Sequence, residues 1–170
     1  MRINTAFFTV IAAASTMAGC SKDSRETDVP SAPPTAAAPA SAGASHQAET
    51  IQWGPAPSVL PPGAELAVLQ GDPGSQNEFT LRLKLPNGYR IAPHTHPTTE
   101  NITVIKGTFL AGMGTQFVES TLQALGRDDF VSIPAEHAHF AMARGETIVQ
   151  VHGLGPFAIT YVNPADDPSR

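Results

Sequence analysis

Two histidines and a glutamate, His94, His96 and Glu100, stand in one short stretch bounded by Gly88 and Gly107. In an extended chain, residues two apart project from the same side, so both imidazoles would face one cavity. Pro97 lets the chain reverse, and a second strand entered at Glu100 would aim its carboxylate at the same point. Two nitrogens and an oxygen suit one borderline divalent ion such as manganese, iron, nickel or zinc, with open positions left for water or substrate. An imidazole must be unprotonated to bind a metal, so the sequence alone places the acid loss of binding near pH 6.5.

The elements that must hold these residues read as strands. Phe79, Leu81, Leu83 and Leu85 alternate with Thr80, Arg82 and Lys84, the pattern of a half-buried strand that Pro86-Asn87-Gly88 ends. Further strands are expected at 66–70, 101–105, 108–113, 130–133, 139–143, 147–152 and 157–162, separated by Gly, Pro, Asn and Asp. A helical turn is expected over 121–125, where Ser120 and Gln123 have capping-box spacing. Phe109, Phe130 and Phe140 sit in alternating strands and are expected to pack the core. In the run from Thr147 to His152, Val149 and Val151 share one face and Gln150 and His152 the other. If the polar face looks inward, His152 is a candidate general base or a donor behind the ligands; otherwise it is an outer-face residue. Arg90 could pair with an anionic substrate at a cavity mouth or end a solvated turn. Short strands with turn residues between them imply an all-β sandwich or barrel.

The spacing of Gly88, His94, His96, Glu100 and Gly107 resembles the first motif of the cupin superfamily at every defining position. A second cupin motif is recognisable in Pro134 and His139. Asp128 stands where its first glycine would be, with Gly126 two residues early; Glu136 replaces the second glycine and Ala143 the asparagine. Glycine is the usual answer to positive φ, so Glu136 implies a changed turn or local strain. The resemblance implies a cupin-type jelly-roll β-barrel and the metal ligands His94, His96, Glu100 and His139. His137 has the same parity as His139 and is the alternative third histidine. The resemblance also makes metal-dependent dioxygenase chemistry on a small organic molecule the leading reaction class, with Glu100 available to take a proton. Lyase or isomerase chemistry is the rival, and a non-catalytic periplasmic module that binds a metal or small ligand is the alternative outside enzymes. Small cupins pair through their outer sheets, which implies a homodimer.

Before the barrel, residues 1–19 have a short positive start, an apolar stretch too short to span a bilayer permanently, and Met17-Ala18-Gly19 ahead of Cys20. This resembles a bacterial lipoprotein signal, in which Cys20 is lipidated and becomes the mature N-terminus. It implies a periplasmic protein anchored by lipid, with Ser21 fitting delivery to the outer membrane. Cys20 is the only cysteine, so no internal disulfide is available. Residues 20–50 are dominated by Ala, Pro and Ser and read as a flexible tether, in which His46 has no assigned role. The barrel is expected over 51–163 and an exposed, mobile tail over 164–170. The formal net charge is −5 and the ten basic residues are scattered, which argues against a nucleic-acid partner.

Overall fold

Alternation decides the architecture. In the computed structural model, which describes residues 45–170, Phe79, Leu81, Leu83 and Leu85 are buried while Thr80, Arg82 and Lys84 between them are half-buried. The signal sequence, Cys20 and the tether as far as residue 44 lie outside the described residues. Nine strands follow in order: β1 (Gly54–Pro55), β2 (Glu65–Gln70), β3 (Glu78–Leu85), β4 (Arg90–Thr95), β5 (Glu100–Met113), β6 (Gln123–Leu125), β7 (Phe130–Ile133), β8 (His139–Leu154) and β9 (Thr160–Tyr161).

Two long strands organise the sheet. β5 and β8 run antiparallel from Asn101 opposite His152 to Met113 opposite His139. The later half of β8 also pairs with β3, which carries β2 and β1, and its first half pairs with β4, which carries β9. β5 is flanked in the same way, by β7 along its first half and β6 along its second. The sheet curls into a jelly-roll barrel whose two halves share these two bent strands.

The bend explains why the expected strands at 101–105 and 108–113 are one element, as are those at 139–143 and 147–152. The β5–β8 register shifts on both sides of Lys106, so a bulge turns the ladder without ending it. Gly107 sits in that bulge at φ +78°, and a Cβ there would lie 2.4 Å from the Glu146 carbonyl oxygen, so no other residue fits. In sequence such a glycine looks like a turn; in the barrel it is a corner.

Three other expectations are corrected. The segment 121–125 is not helical: a single 3-10 turn spans Glu119–Thr121, and Gln123–Leu125 is strand β6. One helical turn forms few hydrogen bonds, whereas the extended segment pairs with β5 and buries Leu125 opposite Phe109. Only Thr160–Tyr161 of the expected strand 157–162 joins the sheet; Phe157 and Ile159 instead pack on the core from a loop. Phe109 and Phe140 are buried as expected, but Phe130 is 55% exposed, because the edge strand β7 turns that side chain to solvent. Phe140 itself lies on the outer side of its half-barrel, where Phe117 covers it at 4.9 Å between ring centroids and Gly112 leaves room for the ring.

At the N-terminal side, a strap of residues 57–61 runs between anchors at the two ends of β4 and buries Leu60 in the core. The Tyr161 hydroxyl donates to the Val59 carbonyl at 2.7 Å, and the Tyr89 hydroxyl donates to that of Pro61. Past Asn163 the chain forms a 3-10 turn, Pro164–Asp166, in which the Asn163 side chain accepts from the Ala165 amide. These last residues are mostly exposed.

Candidate metal centre

Strand register brings the candidate ligands together at one end of the barrel. His94 on β4 lies opposite His139 at the start of β8, and Glu100 opens β5 opposite Ile133. His96 follows β4 directly and, two residues from His94, projects from the same side as extended backbone requires. All four side chains are buried: His94 3%, His96 4%, Glu100 6% and His139 3% exposed. Ligand atoms of His94, His96 and His139 lie within 4.8 Å of one another, a cluster that could hold a metal ion. His137 is exposed; its contribution is a backbone carbonyl, so His139 is the third histidine of the cluster.

The orientation of each ring is fixed from behind. His94 Nδ1 donates to the Ala92 carbonyl at 2.7 Å, His96 Nδ1 to that of Ala158 at 2.8 Å and His139 Nδ1 to that of His137 at 3.0 Å. These bonds put the proton of a neutral imidazole on Nδ1 and leave Nε2 as a lone pair. Glu100 Oε2 lies 3.2 Å from His139 Nε2 and 3.6 Å from His96 Nε2. A carboxylate oxygen facing two nitrogen lone pairs is repulsive unless a cation lies between them. His96 Nε2 and Glu100 Oε2 are also buried side-chain atoms without a hydrogen-bond partner, a costly arrangement in a protein core. The donor set, the fixed tautomers and these two unpartnered atoms all fit a divalent transition metal.

Electrostatics agrees. Burial, with smaller contributions from His139 and His96, lowers the pKa of His94 to about 3, so this ring is neutral at physiological pH. Burial also lowers that of His96, against the opposing pull of Glu100. Burial alone would raise Glu100; positive charge on the facing His139 and His96 outweighs that and lowers it, and with both rings neutral a bound cation would supply the same field and keep the carboxylate ionised.

A cavity of about 270 Å³ opens above the cluster, with His94, His96 and Glu100 at its floor and Val59, Leu60, Leu66, Leu83, Phe157 and Ile159 among its walls. Beneath it a hollow of about 20 Å³ touches His94, Glu100 and His139, room for a water molecule or an ion. Phe157 stacks on His96 at 4.3 Å and 15°. Its neighbour Ala158 supplies the carbonyl that orients the same ring, so one loop both walls the cavity and sets His96. Sequence reading missed this loop because the residues alternate like a strand, and only the barrel end decides that they do not pair.

The structure leaves two candidates outside. Val149 and Val151 point inward, which turns His152 to the exposed outer face. There it borders a separate surface hollow of about 420 Å³ with Thr80 and Asn101, away from the histidine cluster. Arg90 is exposed, paired with Glu119 at 2.7 Å and lying 4.9 Å over the Phe117 ring, at the other end of β4 from His94.

The two worn glycine positions of the second motif keep glycine-like backbone. Asp128 has φ +70° and Glu136 φ +60°. Aspartate tolerates this conformation; glutamate has no local compensation for it. Glu136 is held there because its amide donates to the His96 carbonyl at 2.8 Å, in the turn that leads into His139. The left-handed backbone costs about 1–2 kcal/mol, and glycine returns about 0.5–1 kcal/mol of that as added freedom of the unfolded chain. Since the Glu136 side chain is exposed, Glu136→Gly is expected to stabilise the protein by about 0.5–1 kcal/mol in a denaturant titration. A less stable variant would mean that the side chain, not the backbone, matters at this turn.

No protein-family model and no curated protein matches the chain in sequence. Its fold has many matches among solved structures. A proposed acetylacetone dioxygenase from Methylibium petroleiphilum PM1 aligns with a TM-score of 0.58 at 18% identity, over 75% of this chain and 85% of its own. The polyketide cyclase RemF from Streptomyces resistomycificus gives 0.56 at 16% identity, over 74% and 89%. An RmlC-like cupin from Shewanella frigidimarina NCIMB 400 gives 0.51 at 13% identity, over 64% and 87%. At these identities the likeness is one of fold.

Proposed function

We propose that this chain, whose fold is the cupin jelly roll, holds one divalent transition metal through His94, His96, Glu100 and His139 and acts as a metal-dependent, dioxygenase-like oxidoreductase on a small organic molecule. The observation that carries the reading is the set of three clustered imidazoles with Nδ1 tied to backbone carbonyls, of which His96 and His139 bring Nε2 to 3.6 and 3.2 Å from the Glu100 carboxylate. A metal on these four ligands would offer two neighbouring positions, for a substrate oxygen and for dioxygen. The chain's own residues do the rest. Glu100, ionised and buried, can accept a proton from a substrate carbon or hydroxyl presented above it. The apolar walls, to which Val59 and Leu60 of the strap contribute, give the reacting groups a lining that offers water no hydrogen bonds. One fold neighbour is a proposed dioxygenase, which supports the reaction class as analogy.

The test is oxygen uptake by iron-loaded protein offered a panel of small enolisable and phenolic compounds. Uptake matched by substrate loss is the expected result, abolished in Glu100→Gln. Product formed without oxygen would replace the reading with lyase or isomerase chemistry. Tight ligand binding with no turnover of any compound would leave a binding module.

We further propose that the chain resides in the bacterial periplasm, held to the membrane by lipid on Cys20. This placement is supported by Met17-Ala18-Gly19-Cys20 after an apolar stretch. Mass spectrometry of the mature protein is expected to find a diacylated Cys20 at its N-terminus, and Cys20→Ser is expected to release the protein or trap its precursor. An unmodified soluble protein starting elsewhere would refute the anchor.

A further inference from the structure

The walls of the metal cavity carry a second message. Apart from the ligands at its floor, the lining is Leu, Val, Ile, Phe, Pro and Gly, with a single charged side chain, Asp72, at the rim. Among the described residues no lysine or arginine lines it. Asp72 is exposed, and its Oδ1 already accepts from the Gly74 amide at 2.8 Å. At about 270 Å³ the cavity exceeds the roughly 150 Å³ that admits benzene in an engineered core, so it takes about one substituted ring.

We infer that the substrate is a molecule of single-ring size with an apolar body and one oxygen-bearing head, which carries its only negative charge at the metal. This inference rests on the metal-centre reading. Charge supports it. A divalent ion beside the Glu100 carboxylate leaves one net positive charge at the floor, enough to balance one anionic oxygen group. A second carboxylate or a phosphate on the body would be buried against Leu83, Phe157 and Ile159 with no cation to pair it and Asp72 to repel it, which is strongly unfavourable. The body instead gains by apolar burial and by contact with the Phe157 ring, which is itself held between His96 and Phe79, 5.0 Å away. Sugar phosphates and di- or tricarboxylates are thereby excluded.

Three probes share a 2-hydroxy acid head and differ only in the body: mandelate carries a phenyl group, lactate a methyl and malate a second carboxylate. Calorimetry on zinc-loaded protein avoids any redox turnover. Mandelate is expected to bind at least tenfold more tightly than lactate, and malate no better than lactate. Malate binding as tightly as mandelate, or no probe binding to either form of the protein, would overturn the inference. The same titrations on chelated protein separate it from the reading beneath it. If the order mandelate, lactate, malate persists without metal at undiminished affinity, the apolar-body inference stands and the metal-centre reading fails. Val68, 46% exposed on the rim, can be changed without emptying the core. Val68→Lys is expected to narrow the preference for mandelate over malate at least threefold, and an unchanged ratio would place the body elsewhere and count against the inference.

Discussion

Loading the protein with one equivalent of a divalent transition metal is expected to raise its melting temperature by roughly 5–10 °C. Metal that binds only the folded state stabilises it by RT ln(1 + [L]/Kd), about 2.7 kcal/mol at a hundredfold excess over Kd. For a domain of this size that corresponds to several degrees. The gain is substantial here because the ligands come from β4, β5 and β8 and meet only when the barrel closes. Ala at His94, His96, Glu100 or His139 is expected to abolish the shift and to lower metal affinity by more than the roughly 10–100-fold that losing an outer partner costs, with a matching fall in occupancy. Ala at the exposed His137 or His46 is expected to leave both unchanged. Differential scanning calorimetry with elemental analysis reads the two together. Unchanged stoichiometry in the His96 and Glu100 variants would remove the metal centre, and an unshifted melting temperature in the wild type would leave a polar lining without an ion.

The clustering of the candidate ligands was legible before the fold because it is written in local spacing. His94 and His96 need only extended backbone to share a side, and Glu100 needs only the reversal after Pro97. His139 was legible through its distance from Pro134, although the exposed His137 has the same parity and only burial separates the two. Positive φ at Asp128 and Glu136 shows that the worn motif kept its backbone and changed its side chains. What sequence did not disclose was set by neighbours distant in the chain. Phe130 alternates like a core residue, but β7 has a partner on one side only, β5. The segment 121–125 has a cap pattern, but β5 offers it a ladder. Phe157 reads as strand, yet it stacks on His96 while the next carbonyl, that of Ala158, accepts from His96 Nδ1 instead of from a neighbouring strand. The inward face of 147–152 was undecidable by pattern and is decided by Val149 and Val151 facing Leu83 and Leu81 across β3 and β8.

Burial also changes the expected pH behaviour. From the sequence, proton competition for the metal belongs near the ordinary histidine pKa of about 6.5. In the folded protein His94 has already given up its proton, its pKa lowered by burial to about 3, and His96 is lowered in the same direction. Protons below pH 6.5 therefore bind the unfolded chain first. A group whose pKa is depressed by folding contributes stability that is present above its unfolded pKa and lost as pH falls towards the folded value. For His94 the loss is about 1.4 kcal/mol per pH unit, or about 3 kcal/mol between pH 6.5 and pH 4, and His96 adds to it. Against a total stability on the order of 5–15 kcal/mol, the metal-free protein is expected to unfold in mild acid. Denaturant titrations at pH 7, 5.5 and 4 check this, with His94→Gln expected to flatten the dependence by about one proton. Stability that holds level from pH 7 to pH 4.5 would mean that the imidazoles are not buried as neutral rings, and the lone pairs that define the metal centre would go with them.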